Sequence, residues 1–230
     1  MSLLATIRTS LLLGFKSLPL LLISFIAFLA FGLGNTSLFI LLFGQIFGVP
    51  VITEILHALS SNSPNIALLT SNDISQLVPT ALGSVSTPVN VFPSYWMAHI
   101  AFFFGYLLGN AVSMYLQKTD LSLIQGASSD AVKISINSKI AARKERALTL
   151  IISTVCFFIL IAILRVIATG AETLAGMLIS LILFGLGWGW YAVAENLGVT
   201  NSDVFGIAML MMSPDSAATK PKTCVYTGKP

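Results

Sequence analysis

The stretch KTDLSLIQGASSDAVKISINSKIAARKER, Lys118 to Arg146, carries six of the twelve basic residues of the chain: Lys118, Lys133, Lys139, Arg143, Lys144 and Arg146. Long apolar runs flank it on both sides. Lys and Arg are retained on the cytoplasmic side of a membrane, so a basic loop between two membrane-length runs fixes orientation. The expected topology is counted outward from this loop, with residues 118–146 inside.

Composition supports the same class. Of 230 residues, 56% are hydrophobic and 9% are charged, against about 25% charged in an average soluble domain. Such a chain cannot cover its surface with solvated groups. The net charge of +3 comes from basic residues clustered at the edges of apolar runs. Positive-inside bias therefore accounts for the basic pI, and nucleic acid is excluded as a partner. The two cysteines, Cys156 and Cys224, lie in an apolar run and a polar tail and make no disulfide framework.

Five apolar runs follow in order, each near the ~20 residues that cross a hydrocarbon core. Residues 1–16 form an interfacial N-terminus punctuated by Arg8 and Lys16. Residues 17–57 form a helical hairpin, with runs over 17–33 and 37–56 and a tight turn at 33–36, LGNT. Pro50, which removes a backbone donor, predicts a kink at Gly48–Pro50. Residues 58–92 are rich in Ser, Asn, Thr and Pro, carry no Lys or Arg, and are assigned outside. A span over 93–117 leads into the basic internal loop 118–146, whose second half is polar enough for a surface helix. Residues 147–196 make a second hairpin, and 197–230 an internal tail with Lys220, Lys222 and Lys229. The expected fold is an all-α polytopic transmembrane bundle of about five segments in a single integral membrane domain. Arg8 and Lys16 then fall outside, against the charge rule. The alternative is four spans plus a re-entrant segment at 37–56, which needs cover from protein or water.

Three runs carry glycines four apart: Gly44/Gly48, Gly105/Gly109 and Gly185/Gly189. Small residues at this spacing let helix backbones approach, so all six are assigned to helix packing. Tyr95, Trp96, Trp188, Trp190 and Tyr191 stand at the ends of runs and are expected as interfacial anchors. Lys133, Lys139, Arg143, Lys144 and Arg146 are expected to face anionic lipid, at about 1 kcal/mol each. Intramembrane ionisable groups are costly and mark candidate sites. Glu54, His57, His99, Arg165 and Glu172 all fall toward the outer leaflet in this topology and form the candidate polar or ion cluster. Pairing of Arg165 with Glu54 or Glu172 would lower the cost of each charge. Gln45, Tyr106 and Asn110 are expected to hydrogen-bond between helices.

No metal spacing, phosphate loop or nucleophile elbow occurs. No catalytic residue, metal or cofactor is assigned, and the chain is not expected to be an enzyme. The expected role is structural or assembly-related, as a subunit of a membrane complex or of an enveloped particle. The alternative is a small ion or proton channel or transporter built on the outer polar cluster. The expected partners are the lipid bilayer and either further copies of the chain or other membrane subunits.

Overall fold

The computed structural model describes residues 14–15, 17–61, 94–117, 130–169, 174–199 and 204. All regular structure among them is helical. Helix α1 spans Leu18–Leu33 with Pro19 in its first turn, where a missing N–H costs nothing. It ends at Gly34, whose φ of 59° is the left-handed conformation that stops a helix. Asn35 then caps α2 (Thr36–Phe43) by accepting from the Ser37 amide at 3.0 Å. One αL glycine and one Asx cap thus close the first hairpin.

After α2 the chain widens into one π-turn, Gly44–Gly48, and continues as α3, Val49–Ser61. Pro50 explains the π-turn. It offers no N–H, and its ring would collide with the carbonyl four residues back. The ladder instead opens by one residue, and the Val49 amide donates to the Gly44 carbonyl. The kink is therefore a widened turn in a continuous run, Thr36–Leu56, long and apolar enough to cross a membrane. The chain does not reverse there. Helix α3 also runs to Ser61, so residues 58–61 are helical instead of opening the outer loop.

Helix α4 covers Tyr95–Leu116, capped by Ser94, whose Oγ accepts from the Met97 amide at 3.2 Å. Helix α5 covers Asp130–Thr169 and takes in the second half of the basic stretch without a break. Helix α6 covers Leu174–Asn196. Among the described residues, four helical stretches are long and apolar enough to span a membrane, and α1 is a shorter apolar fifth. Large apolar side chains point outward across the bundle, Phe28 and Phe31 among them, as a lipid solvent requires.

The core is helix α4. In its most apolar 18 residues 78% are buried, against 22% in the matching part of α5 and 28% in that of α6. Helices α5 and α6 pack on α4 from two sides, and α1–α3 close the remainder. The α4–α6 crossing is tight because glycines face backbone. A Cβ on Gly105 would stand 1.9 Å from the Phe184 carbonyl oxygen, and one on Gly187 would stand 2.1 Å from that of Phe102.

Hydrogen bonds sort the helix ends into two groups. Asn35 donates to the Val204 carbonyl at 2.9 Å, Ser113 meets Glu195, and Arg143 meets Gln117. The α1–α2 turn, the end of α4, the basic part of α5 and the end of α6 therefore share one end, called here the basic end. At the opposite end the Trp96 indole donates to the Phe15 carbonyl at 3.1 Å, and Tyr95 meets Glu54.

Candidate functional site

The first turns of α4 gather the polar groups of the opposite end. Tyr95 and His99, four residues apart, share a face of the helix and meet the run Thr36–Leu56 at two levels, whereas Trp96 points to Phe15 and Arg165. The Tyr95 hydroxyl donates to Glu54 Oε1 on α3. Trp96 is fully buried, with its ring 5.0 Å from that of Phe15. The Arg165 guanidinium of α5 lies over the same indole, 4.5 Å from the ring centroid. A desolvated cation on tryptophan contributes about 2 kcal/mol or more.

His99 meets the π-turn. Gln45 Nε2 donates to the His99 carbonyl at 3.1 Å, which aims its Oε1 at His99 Nδ1, 2.7 Å away. That orientation requires Nδ1 to carry the proton. Nε2 is then the acceptor nitrogen of the neutral ring; it is buried and has no hydrogen-bond partner among the described residues. The π-turn is what turns Gln45 inward, because the extra residue changes the angular position of everything before it.

Deeper in the bundle, polar groups also meet one another. The Tyr106 hydroxyl donates to the Ser37 carbonyl at 3.0 Å, and Asn110 Nδ2 to the Tyr191 hydroxyl at 3.3 Å. The Tyr106 and Tyr191 rings meet edge-to-face at 5.2 Å. The Trp190 indole donates to the Ile40 carbonyl at 3.0 Å. Each such bond inside a membrane contributes about 0.6 kcal/mol on average.

The five residues of the expected polar cluster are thus distributed. Glu54 meets α4 through Tyr95 and Arg165 meets it through Trp96, whereas His99 stands on α4 itself and meets Gln45. His57 lies on α3, with its side chain outside the described residues, and Glu172 lies outside them altogether. Gln45 is central to the site and hydrogen-bonds between helices, as its sequence context suggested, whereas Trp96, expected as a lipid anchor, is buried at the site. The available signal was that Gln45 lies five residues before a proline.

The other assignments divide in the same way. Of the five aromatic anchors, Tyr95, Trp96 and Tyr191 are buried in the protein, and Trp190 is half-buried on Ile40. Only Trp188 projects outward, 44% exposed. The burial has a simple cause: Tyr95 and Trp96 stand on α4, which neighbouring helices cover, and Trp190 and Tyr191 of α6 turn toward Phe102 and Tyr106 of α4, so each meets protein before it meets lipid. Gly44, Gly105 and Gly109 face side chains or backbone of other helices, whereas Gly48, Gly185 and Gly189 face open space, and Gly187 makes the contact instead. Among the basic residues, Lys144 is exposed, Arg146 is half-buried and Arg143 is turned onto Gln117. The side chains of Lys133 and Lys139 lie outside the described residues. Cys156 is exposed on α5, and Cys224 lies outside the described residues.

No group of three or more His, Cys, Asp or Glu side chains able to hold a metal occurs among the described residues. Comparison with protein-family models, with curated proteins and with solved structures gives no match. The functional reading therefore rests on the site alone.

Proposed function

We propose that this chain is a non-catalytic multi-pass membrane protein with a structural or assembly role, a subunit of a larger membrane complex or of an enveloped particle. One observation carries the reading. The deep polar side chains on and around α4 meet partners within the bundle: Gln45 with His99, Tyr106 with Ser37, and Asn110 with Tyr191. Groups used in this way hold helices together; a conduction path needs them free to exchange with water or an ion. The outward-facing surface is apolar, which suits lipid or the apolar face of another membrane subunit.

The test is reconstitution of the full chain in liposomes with proton- and cation-sensitive dyes, alongside crosslinking in the native membrane. A structural protein gives no flux above empty liposomes and a reproducible set of crosslinked neighbours. Flux that disappears in the His99→Ala variant would overturn the proposal in favour of a conducting protein.

A further inference from the structure

We propose that Arg143 and Arg146 form one binding site for the phosphate of an anionic lipid headgroup, where α4 stops beside α5. The proposal rests on the reading of the chain as a multi-pass membrane protein. It replaces a diffuse attraction of five basic residues with a defined pair.

Depth comes first. From Ala147 to Ile167, α5 carries no charged side chain except Arg165, and at 1.5 Å per residue this part covers about 30 Å, the thickness of a hydrocarbon core. Arg143 and Arg146 therefore stand within the first turn outside it, at headgroup level. Their direction follows from spacing. Residues three apart on a helix share a face, and Arg143 shows which face this is. Its Nη2 donates to the Gln117 carbonyl at 2.9 Å and its Nη1 to Gln117 Oε1 at 3.2 Å. Gln117 is the C-cap of α4, so the guanidinium sits at the negative end of that helix.

Chemistry then selects the ligand. Arg143 Nε and Arg146 Nη1 are enclosed by protein and have no hydrogen-bond partner among the described residues. An unmade bond on a charged donor is costly, so the half-buried Arg146 side chain gains by swinging outward to an acceptor. The anionic acceptors at that depth are phosphate oxygens, which the planar guanidinium fork matches two at a time, unlike water or an ester carbonyl. Basic crevices between helices on the positive side of a membrane protein take anionic headgroups in this way. Lys144 is exposed and projects from another side of the helix, next to the exposed Glu145.

Diffuse attraction depends only on charge and gives about fivefold per basic residue, whichever one is removed. A site distinguishes both position and shape. The experiment is native mass spectrometry of the detergent-purified full chain, titrated with phosphatidylglycerol and with phosphatidylcholine. The expected result is preferential retention of phosphatidylglycerol. That preference falls at least tenfold in Arg146→Gln and clearly in Arg146→Lys, which keeps the charge and loses the fork, and falls about fivefold or less in Lys144→Gln. Inorganic phosphate at millimolar concentration leaves the adduct in place. Equal losses in the Arg146→Gln and Lys144→Gln variants, or an unchanged Arg146→Lys variant, would overturn the site in favour of diffuse attraction. Displacement by inorganic phosphate would overturn the lipid as the ligand. Retention of both lipids without preference removes the site and leaves the membrane reading standing, whereas retention of neither removes both.

Discussion

Replacing Gly105 by alanine forces a Cβ into the backbone of α6. The added carbon would stand 1.9 Å from the Phe184 oxygen and 2.8 Å from its carbonyl carbon. Backbone cannot rotate aside as a long side chain can, so α4 and α6 must part by about 1 Å to restore a tolerable contact. A gap of 0.5–1 Å forfeits a quarter to a half of the dispersion attraction between facing atoms. Overpacking of this kind costs about 1–3 kcal/mol. The 3.3 Å bond from Asn110 to Tyr191 crosses the same interface and would be lost as well, at about 0.6 kcal/mol. The expected destabilisation is about 3 kcal/mol. Gly185→Ala is the matched control: nothing lies within 4 Å of its Cβ position, and alanine is the better helix former by up to about 1 kcal/mol. Unfolding of both variants in a titration from mild to denaturing detergent, followed by tryptophan fluorescence, separates them. Equal stability of Gly105→Ala and Gly185→Ala would refute the close crossing.

Three further outcomes follow from the same contacts. Gln45→Leu removes both bonds to His99 and leaves its Nδ1 and carbonyl without those partners, so the same titration should register a loss of about 1–2 kcal/mol. Arg165→Leu removes the cation from the Trp96 face and should cost about 2 kcal/mol, with an accompanying change in tryptophan emission; an unchanged spectrum and midpoint would mean that the two do not stack. Asn35→Ala deletes the α2 cap and the tether to Val204; beyond a loss of about 1 kcal/mol, protease cleavage after Val199 should accelerate relative to cleavage within residues 130–139.

The membrane class and the helical segments were legible in the sequence because both are set by apolar length and charge placement. Pro50 announced a disturbance, but a proline alone does not say whether a helix kinks, reverses or absorbs one residue into a π-turn. The sidedness of single residues was less accessible. Glycines four apart mark a helix face without saying what that face meets. Gly185 and Gly189 have the spacing and face open space, while Gly187, midway between them, touches the backbone of Phe102. The aromatics at run ends were misread for a related reason. Interfacial enrichment of Trp and Tyr assumes that a helix end meets lipid, and Trp96 instead meets Phe15 and Arg165. Arg165 was identifiable as a costly charge, and one of its neighbours is the Trp96 indole, a contact that opposite-charge pairing does not anticipate.

The central position of α4 bears on how the protein is made. It is the least apolar of the four membrane-length helical stretches and the most enclosed, so it enters the bilayer with the weakest case for staying there alone. Its closest neighbour, α6, follows it in the chain and leaves the ribosome later. Until then the groove around Gly105 lies open, and a chain stopped short of Gly187 presents an unfilled seam along its middle. The later helix thus acts as a closing wedge for the seam that α4 leaves open.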